Sequence, residues 1–326
     1  MADFDQLPGK ELNMRPFRFG VHVHAHTSRD AWLSTCRTAE QLGFAVLTVP
    51  DHIGPEGGVW AALATAALVT ERLRVGPLVL NSDYWNPAIL SREAATTDLL
   101  SGGRLELGLG AGWNRADYAA AGLTMPPASE RIEKLAESVR VLRAGFEGKP
   151  LHITGRYHKL DSESPWCVPQ QRPLPILIGG GGRRVLSLAG AVADIVSINR
   201  NLRHGSAAAP TAGLAAQQGL YEQDLQAKLA WVSAAAAGRP TQPELHTFIL
   251  RAVPTSSRRD AAEEVGRAYG VGPDDALASP HFLIGTNHEM AEDLRQRRER
   301  WGFSYFTVRE ESMSALAPVV RELTGT

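Results

Sequence analysis

Apolar residues fall along this chain in short solid runs, each cut off by glycine, proline or a polar residue and followed by helical spacing. Phe17 to His24 alternates, with Phe19, Val21 and Val23 on one face and His22 and His24 on the other, which predicts a strand. Ala45 to Val49, Leu73 to Leu80, Ile176 to Ile178, Ala193 to Ile198, Leu245 to Val253 and Phe303 to Val308 are denser. Runs of that kind read as strands buried on both faces, as in parallel sheets. Arg104 to Trp113 is a further strand that runs out into glycines. Helices are predicted between them: one capped by Thr27 or Ser28 and ended by Gly43, Val59 to Thr70, and one opened by Asn86-Pro87. Ile132, Leu135, Val139, Leu142 and Phe146 step by 3, 4, 3 and 4, a single apolar stripe. An alanine-rich helix over about Leu214 to Ala237, then Met290 to Trp301 and Met313 to Leu323, complete the set.

Eight strands alternating with helices predict an α/β fold, a (βα)8 barrel, with an open doubly wound sheet as its rival. The rhythm breaks over residues 148–173, where Leu151-His152-Ile153, Gly155 and Tyr157 predict a small hairpin and a loop. This reads as an insertion between the fourth and fifth strands, with residues 16–326 forming one barrel domain. Residues 1–15 read as a mobile tail and carry no signal-peptide pattern.

Composition adds exclusions. A net charge of −1 argues against a broad surface for nucleic acid or anionic membrane. Two cysteines, Cys36 and Cys167, form neither a CxxC motif nor a disulfide framework, which fits a reducing cytoplasm. No uncharged apolar run reaches the roughly 18 residues a membrane span needs.

In a barrel, the reacting groups sit at the C-terminal ends of the strands. Those ends here offer His24 and His26, Asp51 and His52, Asn81 and Ser82, Trp113 and Asn114, Gly179 to Gly182, Ser197 and Asn199, and Arg309. Leu174 to Arg184 is the stretch that organises the rest: a buried strand, then Gly179, Gly180, Gly181 and Gly182, then a helix start. Glycines let backbone N–H groups approach an anion at a helix N-terminus, so this is either a phosphate cradle or a ligand-free βα turn. Asp51 beside His52 reads as a tautomer-fixing pair, with His52 the candidate proton carrier, or as a structural cap. His22 and His24 resemble half of a metal-dependent barrel hydrolase site, but the later strand ends lack the other half, so no metal is expected.

Gly103 to Trp113, Pro175-Ile-Leu-Ile-Gly-Gly-Gly, Val49-Pro-Asp-His and Leu283-Ile-Gly-Thr, in that family's order, resemble the bacterial luciferase-like superfamily. The resemblance runs from Phe17 to the end and is strongest to its coenzyme F420-dependent oxidoreductases. It implies a luciferase-like TIM barrel, commonly homodimeric, acting on a small-molecule or peptide-like organic substrate. It implies cofactor phosphate on Gly179 to Gly182 and a ring against a bulge at Pro77, Leu78 and Val79, often with a non-prolyl cis peptide. Asn81, Gly112 and Trp113 would also line the cofactor, with His24, Trp113 and Asn199 toward the substrate. Asp51 and His52 match the pair that faces the deazaflavin. Three positions depart from relatives. Ala111 stands where FMN monooxygenases often carry an arginine, which favours F420 over the alternative, FMN. Trp113 replaces a glutamate and Glu56 a tryptophan of the sugar-phosphate dehydrogenases, which argues against glucose 6-phosphate as substrate. A non-catalytic flavin-binding protein is the reading from another class. The loop from Asn199 to Ala212, rich in glycine, alanine and proline, reads as a lid.

Overall fold

The computed structural model describes residues 15–24, 28–164, 166–201 and 220–326. Its strands, in chain order, begin with β1 (Arg18–His22), β2 (Val46–Val49), β3 (Arg74–Pro77), β4 (Leu80–Asn81) and β5 (Leu107–Gly110). There follow β6 (Leu151–Thr154), β7 (Lys159–Ser162), β8 (Ile176–Gly180) and β9 (Ile195–Ile198). The last are β10 (Glu244–Ile249), β11 (Arg251–Pro254), β12 (Phe282–Gly285) and β13 (Phe303–Arg309). Nine of them form one parallel sheet in the order β3-β2-β1-β13-β10-β9-β8-β5-β4. A bridge from Val75 to Leu105 joins β3 to the chain just before β5 and brings the sheet's two edges together. Two pieces, β3 and β4, are halves of one stave, broken at Leu78–Val79, so the ring has the eight staves expected. The fully buried runs on β2, β5, β9 and β12 are what strands covered on both faces require.

Around the ring lie α1 (Arg29–Gln41), α2 (Val59–Leu68), α3 (Pro87–Leu100), the short α4 (Arg115–Ala120), α5 (Ala128–Gly145) and α6 (Arg183–Val192). Ser28 caps α1, and Asn86 followed by Pro87 starts α3. The stripe of α5 faces inward: Leu135, Val139, Leu142 and Phe146 are buried. Strands β6 and β7 are the expected antiparallel hairpin.

Two regions differ from expectation. The seventh strand does not continue to Val253; it divides at Leu250, where the backbone N–H donates to His281 O. Its second half, β11, leaves the ring to pair with β12 in a separate two-stranded sheet. Helices Arg258–Tyr269 and Pro273–Ala278 cover that sheet over a core of Val265, Phe282 and Ile284. Of the alanine-rich helix, Glu222–Ala236 is described. Residues 1–14, 25–27 and 202–219, which include most of the tail, His26 and nearly all of the loop read as a lid, lie outside the described residues.

The base of the barrel is closed by charge. Glu106 takes Arg18 and Arg74 on the same oxygen, and Arg18 also reaches both oxygens of Glu244. Burial alone would raise the Glu106 carboxyl, but the two guanidinium groups outweigh it and hold it below the usual range.

Candidate active site

At the opposite end, β2 runs into the loop that carries Asp51 and His52, and the two side chains point apart. Asp51 Oδ2 accepts from the Asn81 backbone N–H at 3.0 Å and from Trp85 Nε1–H at 3.1 Å. Burial raises its carboxyl, although those two bonds pull the other way. Asp51 therefore ties the β2 loop to the end of β4 and does not orient His52. The partner of His52 is Asp117 on α4, whose Oδ2 lies 2.6 Å from His52 Nδ1. Asn114, the cap of α4, donates from Nδ2 to the other oxygen of Asp117 at 2.8 Å. With Nδ1 bonded to a buried carboxylate, Nε2 is the nitrogen left for chemistry. The Trp113 ring stands edge-on to His52 at 5.6 Å.

The predicted bulge is present, and the Leu78–Val79 peptide is cis. Leu78 and Val79 are half-buried between the buried Pro77 and Leu80. Val79 also explains the glycines opposite it. A Cβ on Gly110 would lie 2.6 Å from Val79 Cγ2, and one on Gly179 would lie 3.2 Å from Val79 Cγ1. Gly108 is barred by the Pro77 carbonyl, 2.0 Å from where its Cβ would be. Gly112 adopts φ +73°, and Asn81 fills the space beside it to within 2.5 Å. Arg131 fixes this loop from behind, donating from Nε to Ala111 O at 2.9 Å and from Nη2 to Gly112 O at 3.2 Å. Val79 with Gly110, and Asn81 with Gly112, are thus packed too closely for any larger residue at either glycine.

The four glycines after β8 differ from one another. Gly180 is pressed on Val185 and Gly181 on the Arg200 carbonyl, with Cβ approaches of 2.3 and 2.1 Å. Gly182 has nothing within 4 Å of its Cβ position and precedes α6 without any side-chain cap. The open N–H groups of α6 are therefore reached past Gly182, while Gly179 to Gly181 shape the turn. Asn199 lies on this side, its Nδ2 donating to Ser197 Oγ at 3.1 Å, and its carbonyl accepts from Lys228 Nζ at 2.9 Å. Burial lowers the Lys228 ammonium to about 8.

At the end of β1, His22 is fully enclosed and bonded through Nδ1 to Thr48 Oγ1 at 3.0 Å. Burial, then His24 and Arg309, drive its imidazole well below the usual value, as in a core histidine. His24 is 42% exposed at the mouth, with Nδ1 3.4 Å from Glu56 Oε1. Among the described residues, the one group spaced to hold a metal is His152, Asp161 and Glu163 on the exposed hairpin. Sequence reading named Asn114 at a strand end but missed Asp117, Arg131 and Trp85. The Asn114-x-x-Asp117 spacing was a helix-start signal available in the sequence, but its pairing with His52 was not.

Comparison with known proteins follows the same lines. Residues 14–305 match the model of the luciferase-like monooxygenase family. An F420-dependent glucose-6-phosphate dehydrogenase of Amycolatopsis mediterranei is 34% identical over 164 residues, 48% of this chain and 49% of that one. A 5,10-methylenetetrahydromethanopterin reductase of Archaeoglobus fulgidus is 31% identical over 163 residues, 50% of this chain and 47% of that one. The chain spans about half the length of the relatives it matches. The fold is shared more widely. The F420-dependent tetrahydromethanopterin reductase of Methanopyrus kandleri superposes with a TM-score of 0.74 at 17% identity, over 94% of this chain and 98% of that one. An F420-dependent secondary alcohol dehydrogenase, solved with an F420-acetone adduct, gives 0.71 at 21%, also over 94% and 98%. With nine-tenths of its length under the family model, the chain belongs to the luciferase-like monooxygenase family.

Proposed function

We propose that this protein is an oxidoreductase moving a hydride between coenzyme F420 and a small-molecule or peptide-like organic substrate. The observation that carries it is His52, fixed at Nδ1 by Asp117 and edge-on to Trp113 beside the Leu78–Val79 bulge. The relatives named for F420 support the choice of cofactor. The residues present fit it. Gly182 and the uncapped first turn of α6 offer N–H donors to a phosphate. Leu78 and Val79, half-buried on an otherwise buried stave, offer an apolar wall for a flat ring. F420, when bound, supplies or accepts the hydride. His52 then holds or takes the accompanying proton at Nε2, Asp117 keeps that nitrogen turned outward, and Trp113 narrows the space open to water.

A homodimer fits the same reading. The outer faces of α2 and α3 leave Leu68, Ile89, Leu99 and Leu100 exposed, which a second copy would cover. No helix among the described residues is long and apolar enough to cross a membrane, and a cytoplasmic location agrees with the cysteine usage.

Cofactor binding and His52→Ala test the proposal together. Purified protein is expected to bind F420 more tightly than FMN. With any acceptor the wild type reduces, His52→Ala should slow single-turnover hydride transfer by roughly 10²–10⁴ while F420 affinity changes little. Preference for FMN would replace the cofactor. Collapsed affinity with an unchanged single-turnover rate would make His52 a wall of the pocket.

A further inference from the structure

Glu56 lies on the same loop as His52 and reaches across the mouth to the end of β1. Its Oε1 is 3.4 Å from His24 Nδ1, and its side chain is only 14% exposed. Its Oε2 is buried and has no hydrogen-bond partner among the described residues. A carboxylate oxygen withdrawn from water without a donor forfeits its hydration with nothing in return, so folded proteins seldom keep one. It belongs to a side chain that leans on the half-exposed His24 at the mouth.

We propose that Glu56 Oε2 reads the substrate. It accepts a hydrogen bond from an O–H or N–H donor on the substrate, and it turns away molecules that bring a carboxylate or phosphate to that end. An ionised carboxylate only accepts, so it is completed by a hydroxyl or an ammonium and opposed by another anion. Contact with His24 holds the side chain across the mouth and leaves Oε2 for the ligand. This assignment rests on the oxidoreductase reading above and narrows its substrate to hydroxyl-bearing or amine-bearing molecules.

The test uses three probes of matched shape: cyclohexanol, cyclohexylamine and cyclohexanecarboxylate. Calorimetry would follow each into wild type and the isosteric Glu56→Gln, with and without bound F420, and Glu56→Ala serves if the first variant folds poorly. The alcohol and the amine are expected to bind about tenfold or more tighter than the carboxylate. Whichever of the two leads supports the assignment and tells a neutral from a cationic substrate. In Glu56→Gln the amine should lose its advantage, falling to within about threefold of the carboxylate. A carboxylate that binds wild type as well as the others, no binding by any probe, or an unchanged ranking in the variant would overturn the assignment. F420 fluorescence in the same samples keeps the two readings apart. Ranked probes without F420 binding sink the cofactor alone; bound F420 with unranked probes sinks the role of Glu56 alone.

Discussion

At the base of the barrel, buried Glu106 is gripped by two arginines, whereas at the mouth half-buried Glu56 has, among the described residues, only a histidine at 3.4 Å. Among the described residues, both carboxylates keep one oxygen without a hydrogen bond. What differs is the compensation. Two guanidinium groups neutralise Glu106 within a network that also holds Glu244, so the base needs no further partner. Among the described residues, the mouth has Glu56 Oε2 and Ser82 Oγ without partners and α6 without a side-chain cap. Groups left in that state weaken a fold and serve a ligand, so the comparison separates the end that stabilises from the end that binds.

The largest expected effect would strike the base. Glu106→Ala leaves Arg18 and Arg74 facing each other without their shared acceptor, and removing one partner of a buried pair costs about 3–5 kcal/mol. Urea unfolding should show that loss, with F420 affinity of the remaining folded protein unchanged. A loss under about 1 kcal/mol would mean the base network is ornamental and the comparison fails.

Acid should act next, through the trunk. His246 is enclosed between Ser197 Oγ at 2.8 Å and Thr307 Oγ1 at 2.9 Å, and burial lowers its imidazole to about 3. Burial lowers His281 likewise to about 3, and His22 falls well below its usual value. A base whose folded pKa lies below its unfolded one binds more protons when unfolded. Stability is therefore complete above pH about 6.5 and falls as pH drops from there toward 3. His246 and His281 should each remove on the order of 2 kcal/mol between pH 7 and pH 5. Unfolding curves across that range should be shallower by about one histidine's share in His246→Gln. An unchanged slope would place the protonation elsewhere.

The smallest effect on stability should fall at the mouth. Gly182 has φ −100°, a region open to any residue, and an aspartate there can cap α6. Gly182→Asp should leave stability the same or raise it by a few tenths of a kcal/mol, while the new carboxylate repels a phosphate. F420 affinity should fall at least about tenfold, equal to about 1.4 kcal/mol. Retained affinity in the folded variant would take the phosphate away from α6.

The barrel was legible because its signals are local. Buried runs such as Ala193 to Ile198 and the stripe of α5 each declare themselves within a few residues. The break at Leu250 was not legible, since Ile249 to Val253 is as apolar as the strand before it, and only the distant Phe282–Gly285 draws it aside. The site followed the same division. The glycine turn and His52 stood out among residues adjacent in sequence, whereas the bulge at Leu78–Val79 was expected only from the family resemblance. Asp51 was misread as the partner of His52 because sequence proximity says nothing about which way neighbours after a strand will point. Asp117 lies 65 residues away, beyond any local pattern.

The fit of Val79 into Gly110 and Gly179 also bears on how this mouth can be remodelled by mutation. Residues 79 and 110 occupy one volume, so a side chain can enter at 110 only if the branched one at 79 shrinks. Position 108 has no such freedom, because what bars it is the carbonyl of Pro77, which no side-chain exchange removes. A library that varied 79 and 110 together would sample mouths of new shape, while one that varied 108 would sample unfolded chains.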